Sequence, residues 1–150
     1  MALLKIYTGE ESVLREKARN ITKISKKLRT LAKDMLETMY QANGVGLAAP
    51  QVGISERMVV IDVGSGPIIL INPEITKKEG ENRDVEGCLS LPGRNEYITR
   101  AEQVWVTAFD LNGKKLNLTG EGLLARAFQH EIDHLNGILF IDYLNNTKEQ

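Results

Sequence analysis

The chain has 150 residues, 42% of them hydrophobic and 26% charged, so it is long enough to bury one sizeable core without disulfide bonds. The 19 basic and 20 acidic residues leave a formal charge of -1, which argues against broad electrostatic binding to nucleic acid or anionic lipid. No apolar run reaches membrane-spanning length, no signal peptide is visible and there is one cysteine, so we expect a soluble, cytoplasmic, single-domain protein over residues 1–150.

Two helices are predicted in the first third of the chain. The first is short and covers residues 10–18. The second begins after Ser25, whose side chain can cap it, and is predicted to end near Asn43 and Gly44, where glycine tolerates a positive φ. Its apolar residues recur at helical spacing: Leu28, Leu31, Ala32, Met35, Leu36 and Met39.

The middle of the chain is predicted to form strands. Residues 58–63 and 68–72 are β-branched runs separated by a Gly-Ser-Gly-Pro turn. Residues 104–110 and 116–118 form another pair, and Asn112-Gly113 between them is typical of a two-residue hairpin. Because no βαβ alternation is present, the sequence predicts antiparallel sheet in an α+β fold.

A last helix is predicted over residues 121–136, ended by Gly137 just after it. A short apolar strand is predicted over residues 138–141, and a polar tail follows from Asn145.

Both histidines of the chain lie in this last helix, as His130 and His134. Positions four apart share a helix face, so both imidazoles can bind one metal ion, and Glu131 can accept a proton from a water beside that ion. The two histidines continue an apolar stripe that includes Leu123 and Ala127, and buried imidazoles need polar partners. The pattern therefore favours a metal site over a chance pair of polar residues.

Two histidines do not complete a tetrahedral site, and Cys88 is a candidate third ligand because a thiolate binds soft metals strongly. A fourth position would then stay open for water, as in catalytic sites. The sequence leaves three alternatives to this catalytic metal site. In the first, Cys88 is an inert buried cysteine, and in the second it is the nucleophile of a Cys–His hydrolase. In the third, the protein is a binding domain in which the ion has a purely structural role.

The segment over residues 44–51, GVGLAAPQ, consists almost wholly of small or apolar residues. Small side chains allow a ligand or another backbone to approach closely, although a tight helix-to-strand connection explains the composition equally well.

Three motifs together resemble those of the peptide deformylases: GVGLAAPQ over residues 44–51, EGCLS over residues 86–90 and QHEIDH over residues 129–134. The resemblance spans nearly the whole chain. It implies a peptide-deformylase-like catalytic domain, a metal-dependent hydrolase that removes the formyl group from the N-terminal formyl-methionine of nascent polypeptides. An inactive relative that binds such chains without cleaving them is the remaining alternative within the family.

The resemblance also implies a role for individual residues. Cys88, His130 and His134 match the metal ligands and Glu131 matches the general acid/base, while Gln51 and the backbone N–H of Leu89 match the oxyanion donors. Five further positions match the substrate-binding residues: Val45, Gly46 and Gly87 for the peptide backbone, and Leu123 and Ala127 for the methionine side chain. The ion implied is Fe²⁺, with Zn²⁺, Ni²⁺ or Co²⁺ as substitutes in purified protein.

The partners implied are formyl-Met nascent peptides and, transiently, the ribosome, with the protein itself a monomer. Three features depart from the family pattern. Asn43 stands where many relatives carry an acidic residue that pairs with an arginine matching Arg100, and a proline is missing near Gly9. The third is the additional C-terminal helix that some bacterial relatives use at the ribosome, for which this sequence has no counterpart, and the mode of ribosome association is left open.

Overall fold

The structure, a computed structural model, describes the backbone of residues 2–148 and the side chains of residues 2–144. Within that range three α-helices and seven strands follow one another along the chain. They are α1 (Lys26–Gln41), β1 (Gly46–Ala48), β2 (Met58–Ile61), β3 (Ile68–Glu79), β4 (Asn82–Cys88), β5 (Leu91–Arg100), β6 (Gln103–Phe109), β7 (Lys115–Glu121), α2 (Gly122–Leu135) and α3 (Ile141–Lys148). Two short 3₁₀ turns, Ser12–Arg15 and Ala49–Val52, complete the order.

The strands form two antiparallel sheets. Five strands pair in the order β1-β2-β3-β6-β7, and β4 pairs with β5 in a separate hairpin. The larger sheet is buried on both faces near its centre: in β2, Val59 and Ile61 pack in the cluster beside α2, whereas Met58 and Val60 pack in the cluster beside α1. This explains the continuous apolar run of β2. The predicted antiparallel α+β fold, with sheets packed around the C-terminal histidine-bearing helix, is confirmed.

The prediction for α1 is confirmed at its start. The Ser25 hydroxyl accepts a hydrogen bond from the backbone N–H of Leu28 at 3.1 Å, which caps the first turn. At the other end it is Asn43, with φ of 58°, and not Gly44, that adopts the left-handed conformation. The short helix predicted over residues 10–18 is wrong. Only the 3₁₀ turn forms. The backbone is extended at Glu16, and the N–H of Ala18 donates to the carbonyl of Leu135 at 2.8 Å and not to a carbonyl of the preceding turn.

The hairpin between β6 and β7 is confirmed, with a longer loop than predicted. The backbone N–H of Asp110 donates to the carbonyl of Lys114 at 2.9 Å, which leaves three residues in the loop, and Gly113 has φ of 79°. The β4–β5 hairpin was not predicted. Its residues are mostly polar and exposed, and Pro92 and Gly93 interrupt the strand pattern.

Helix α2 lies at the centre of the molecule, and ten of its 14 residues are buried. Gly137 ends it as predicted, because its φ of 73° is left-handed. A Cβ at this position would lie 2.5 Å from the carbonyl oxygen of Arg15, which also favours glycine. The strand predicted over residues 138–141 is wrong. The side chain of Asp142 accepts from the backbone N–H of Leu139 at 3.2 Å, which turns the chain into α3, so Asn145 lies in a helix and not in an irregular tail.

No helix among the residues described is both long enough and apolar enough to cross a membrane.

Candidate active site

A cavity of about 410 Å³ lies between the GVG segment after α1, the β4–β5 hairpin and α2. The structure brings nearly all of the residues singled out in the sequence into its lining: Val45, Gly46, Gln51, Gly87, Cys88, Leu89, Leu123, Ala127, His130 and Glu131. His134 lies behind this lining and is buried. Three motifs that are far apart in sequence therefore meet at one cavity.

The candidate metal ligands come from two different parts of the fold. Cys88 ends β4, where the register slips because residues 92–94 of β5 bulge out between the pairs Gly87–Asn95 and Cys88–Leu91. His130 and His134 lie one turn apart on α2. Cys88 Sγ and one ring nitrogen of each histidine all lie within 4.8 Å of one another.

The spacing of these three donor atoms fits a tetrahedral metal. Cys88 Sγ is 3.3 Å from His134 Nε2, and the two Nε2 atoms are 3.2 Å apart. Metal–nitrogen bonds of ~2.0–2.1 Å place two tetrahedral ligands ~3.3–3.4 Å apart, so the observed separations need little adjustment. One thiolate and two imidazoles form a donor set that several first-row divalent ions accept.

The two histidines differ in how readily they bind a proton, and the proton on His130 opposes metal binding. Burial lowers the pKa of His130, but the charge of Glu131 and hydrogen bonds with Cys88 and Glu86 outweigh burial and raise that pKa to about 10. Burial and the neighbouring charge of His130 hold the pKa of His134 well below its ordinary value. Since a ligating imidazole must be neutral, a metal ion competes with a proton on His130.

Glu86 orients the first histidine. Its carboxylate accepts a hydrogen bond from His130 Nδ1 at 2.5 Å, which keeps a proton on Nδ1. When His130 becomes neutral, as metal binding requires, the proton that leaves is the one on Nε2, and the lone pair of Nε2 then faces Cys88 and His134. Burial raises the pKa of Glu86, but the hydrogen bonds from His130 and Arg100 outweigh burial and hold it well below its ordinary value.

A buried network of charges surrounds this carboxylate. Arg100 donates to both oxygens of Glu86 at 3.0 and 2.6 Å, and Arg126 donates to Oε1 at 2.9 Å. Arg100 also donates to Asp133 at 2.7 Å, and the Tyr143 hydroxyl donates to the same carboxylate oxygen at 2.6 Å. The arginine pairs with these residues and not with residue 43. No sequence pattern indicated a role for Glu86, Arg126, Asp133 or Tyr143, although the glutamate inside EGCLS was one available signal.

Glu131 is buried against the GVG segment. A Cβ on Gly46 would lie 2.5 Å from Glu131 Oε2, so only glycine lets the backbone approach the carboxylate this closely. Burial raises the pKa of Glu131 to about 7. Its Oε2 lies 4.0 Å from His130 Nε2, and among the described residues its buried Oε1 has no hydrogen-bond partner. This carboxylate is therefore placed to exchange a proton with a molecule in the cavity.

Gln51 places an amide donor beside Cys88. Its Oε1 accepts from the backbone N–H of Ala48 at 2.9 Å, and its Nε2 lies 3.7 Å from Cys88 Sγ and 3.1 Å from Ser90 Oγ. Leu89 lines the same cavity between Cys88 and Ser90, and its side chain packs against Gly44.

The remaining predicted residues line the mouth and the inner wall. Ala127 is buried, whereas Leu123 is 53% exposed, so the apolar stripe of α2 opens onto the cavity mouth at Leu123 and is not buried there. Val45 is partly exposed at the same mouth. At Gly87 a Cβ would lie 2.6 Å from Asn95 Oδ1, so a side chain there would displace the Asn95 amide.

A helix that carries HExxH beside a cysteine from a neighbouring strand, with a buried glutamate next to the donor atoms, defines a metal-dependent hydrolase. Comparison with known proteins is more specific. The polypeptide deformylase family model matches residues 3–150. The chain belongs to the peptide deformylase family, whose members remove the formyl group from the N-termini of nascent peptides in a metal-dependent reaction.

The similarity extends along the whole chain. A peptide deformylase of Halothermothrix orenii is 55% identical over 152 residues, covering 100% of this chain and 99% of the relative. The crystal structure of the Thermotoga maritima enzyme matches with a TM-score of 0.93 at 44% identity, over 95% of this chain and 97% of that one. The crystal structure of the Legionella pneumophila enzyme matches with a TM-score of 0.92 at 49% identity, over 94% of this chain and 85% of that one.

Proposed function

We propose that the cavity is the catalytic centre of a deformylase domain spanning residues 1–150, with Cys88, His130 and His134 holding the metal. The observation that carries this proposal is the convergence of Cys88 Sγ and the two Nε2 atoms beside the buried carboxylate of Glu131. When bound, the metal supplies a Lewis acid that makes water nucleophilic at neutral pH and polarises the formyl carbonyl.

Glu131 moves the proton. It accepts a proton from the water whose oxygen attacks the formyl carbon, and it delivers that proton to the amine nitrogen as the C–N bond breaks. Water thereby supplies the oxygen of the released formate and the new N–H of the methionine amine. The raised pKa of about 7 suits both directions of transfer near neutral pH.

Gln51 and the backbone N–H of Leu89 donate hydrogen bonds to the formyl oxygen as it gains negative charge. Ala48 holds the Gln51 amide with its oxygen turned away from the cavity, so the nitrogen faces Cys88. Donors that are fixed in advance stabilise the transition state without reorganisation, which is why they contribute strongly to turnover.

The substrate peptide lies along the two glycine-containing edges of the cavity. The backbones of Val45, Gly46 and Gly87, which line the cavity, pair with it as a strand would. The methionine side chain enters between Leu123 and Ala127, the apolar part of the lining contributed by α2.

We also propose which ion and partners the enzyme uses. The family resemblance favours Fe²⁺ as the physiological ion, with Ni²⁺ or Co²⁺ as working substitutes and Zn²⁺ as a poorer one. A mixed thiolate–imidazole set accepts all of these ions, since it does not select among them by geometry alone. The protein acts as a cytoplasmic monomer that meets formyl-Met nascent peptides in transient contact with the ribosome.

The test is release of formate from a short formyl-Met peptide by protein prepared without oxygen, with metal content measured alongside. Glu131→Ala should retain the metal and the fold and lose about 10²–10⁴-fold in kcat, because it removes the proton carrier and no ligand. Exchange of the exposed Glu10 for glutamine is the matched control and should leave kcat unchanged. Near-normal turnover by metal-loaded Glu131→Ala would contradict the mechanism.

A further inference from the structure

We propose that Ser90 is a positioning residue that holds the side-chain amide of Gln51 in its donating orientation. The inference rests on the proposed function, because it assumes that Gln51 donates to the formyl oxygen. Gln51 and Ser90 are 39 residues apart in sequence, and Ser90 lies just beyond Cys88 in the two-residue turn that connects β4 and β5.

Two hydrogen bonds determine the orientation of the amide. The backbone N–H of Ala48 donates to Gln51 Oε1 at 2.9 Å, which fixes which end of the amide is the nitrogen. Gln51 Nε2 donates to Ser90 Oγ at 3.1 Å, which fixes the rotation of the amide plane. One of the two Nε2 hydrogens is thereby used, and the other is left for the side of the cavity where Cys88 Sγ lies at 3.7 Å.

Burial makes this arrangement rigid. Ser90 is fully buried and Gln51 is 1% exposed, so water does not replace Ser90 Oγ as the acceptor. The hydroxyl therefore does more than fill space. It is the contact that prevents the amide from turning its second hydrogen away from Cys88 Sγ and the cavity.

The N-terminal segment, residues 7–9, holds the backbones of the same two residues. The backbone N–H of Tyr7 donates to the carbonyl of Gln51 at 2.7 Å, and that of Gly9 donates to the carbonyl of Ser90 at 2.9 Å. Tyr7 is itself seated against Gly53, where a Cβ would lie 2.7 Å from its ring. Gln51 and Ser90 are thus joined both through their side chains and through one short segment that contacts both backbones.

A purely structural Ser90 would affect stability alone, so the experiment separates turnover from folding. The kcat and KM for a formyl-Met peptide are measured for the metal-loaded wild type, Ser90→Ala, Gln51→Ala and the double variant. Thr38→Val is the control, because it removes another buried hydroxyl, one that bonds Leu4 and Asp34 away from the cavity. In parallel, the side-chain amide signals of Gln51 are recorded by ¹⁵N NMR and assigned with Gln51→Ala.

We expect Ser90→Ala to lower kcat about tenfold with KM within about twofold of the wild type, since the donor is present and misoriented. In the Gln51→Ala background the same change should alter kcat by less than about twofold, and the Gln51 amide signals should shift in Ser90→Ala but not in Thr38→Val. Thr38→Val should melt at a lower temperature with unchanged kcat.

The two proposals fail in different ways. Wild-type kcat in Gln51→Ala would overturn the role of Gln51 in the proposed function. Reduced kcat in Gln51→Ala together with wild-type kcat and unshifted amide signals in Ser90→Ala would overturn the positioning role alone. An equal loss from Ser90→Ala with and without Gln51 would also overturn it, because Ser90 would then act independently of the amide.

Discussion

The carboxylate of Glu86 accepts a hydrogen bond from His130 Nδ1 at 2.5 Å while both of its oxygens also accept from Arg100. The residue that precedes the candidate ligand Cys88 by two positions in β4 therefore orients the candidate ligand His130 on α2. Such supporting carboxylates fix the tautomer of a ligating imidazole and raise its basicity.

Replacing Glu86 with glutamine should affect both metal affinity and stability. We expect metal affinity to fall by about 10–100-fold, because the hydrogen bond to His130 is weakened. The free energy of unfolding should fall by about 3–5 kcal/mol, because Arg100 and Arg126 lose a buried counter-charge. Chelator competition and urea denaturation measure the two quantities.

Glu96, the cross-strand partner of Glu86, is the control. It pairs with Arg94 near the surface, so Glu96→Gln should cost less than about 1 kcal/mol. Equal effects of the two changes would contradict the role given to Glu86.

Adding one methyl group at Gly46 should impair turnover. The new Cβ would lie 2.5 Å from Glu131 Oε2, so the carboxylate must move, and displacement of a catalytic group by about 1 Å can cost about 10²-fold in rate. Gly44→Ala is the matched comparison, because there the added methyl meets the flexible end of Leu89 at 2.8 Å. We expect a much smaller loss of kcat for Gly44→Ala, with metal content equal in both. Similar kcat values for the two variants would show that Glu131 adapts freely.

The identity of the metal should decide both speed and durability. We expect the Fe²⁺ form to be fast and to lose activity in air, the Ni²⁺ form to last longer, and the Zn²⁺ form to be slow. Ferrous iron and oxygen generate oxidants beside Cys88, and a sulfinic or sulfonic Cys88 is lost as a ligand. Reconstitution of one metal-free preparation with each ion, followed by timed assays with and without oxygen and mass spectrometry of the Cys88 peptide, tests this. Equal, air-stable activity with zinc and iron would refute it.

Tyr143 should contribute stability that disappears at alkaline pH. Burial, the hydrogen bond to Asp133 and the charge of Asp133 raise the pKa of Tyr143 to about 12, above the ordinary 10.0. The folded state therefore favours the protonated hydroxyl, and the resulting stability is complete below pH 10 and is lost as pH rises towards 12.

The comparison is between the free energies of unfolding of the wild type and Tyr143→Phe. Allowing for partial exposure, the wild type should exceed the variant by about 1–2 kcal/mol more at pH 9 than at pH 12. Urea denaturation at both pH values measures it, with exposed Tyr97→Phe as the control. A difference independent of pH would contradict the assignment.

The sequence predicted the elements whose side chains follow a regular period. Helix α1 has one apolar face and a serine cap, β2 and the first residues of β3 are apolar, and β6 alternates between buried and partly exposed positions, so local chemistry and final structure agree there. Strand β3 continues to Glu79, beyond the predicted residues 68–72, through polar residues that carry no such pattern. The β4–β5 hairpin escaped prediction because it exposes most of its surface and contains a bulge at Pro92 and Gly93. The apolar run at residues 138–141 was misassigned because such short runs do not distinguish a strand from a buried turn.

The candidate site shows the same division. Residues within short motifs were found, because spacing along α2 alone places His130, Glu131 and His134 together. The charges that support them were not found. Glu86, Arg100 and Asp133 lie on β4, β5 and α2, respectively. Their pairing depends on how these three elements pack, and a local sequence pattern does not predict that packing. The departure noted at Asn43 has a structural answer, since Arg100 is fully engaged by Glu86 and Asp133.

The division of the ligand set between β4 and α2 has a mechanical consequence. Cys88 and His134 are 46 residues apart in sequence, so an ion held by both cross-links the small hairpin to the central helix and closes a long loop. An ion that binds the folded chain and not the unfolded one stabilises the folded state by its binding free energy. Loss of the ion, or oxidation of the one thiolate, therefore removes the activity and one of the ties between the hairpin and α2 in a single event. The hairpin then stays against the helix through the buried hydrogen bonds of Arg100 and Arg126.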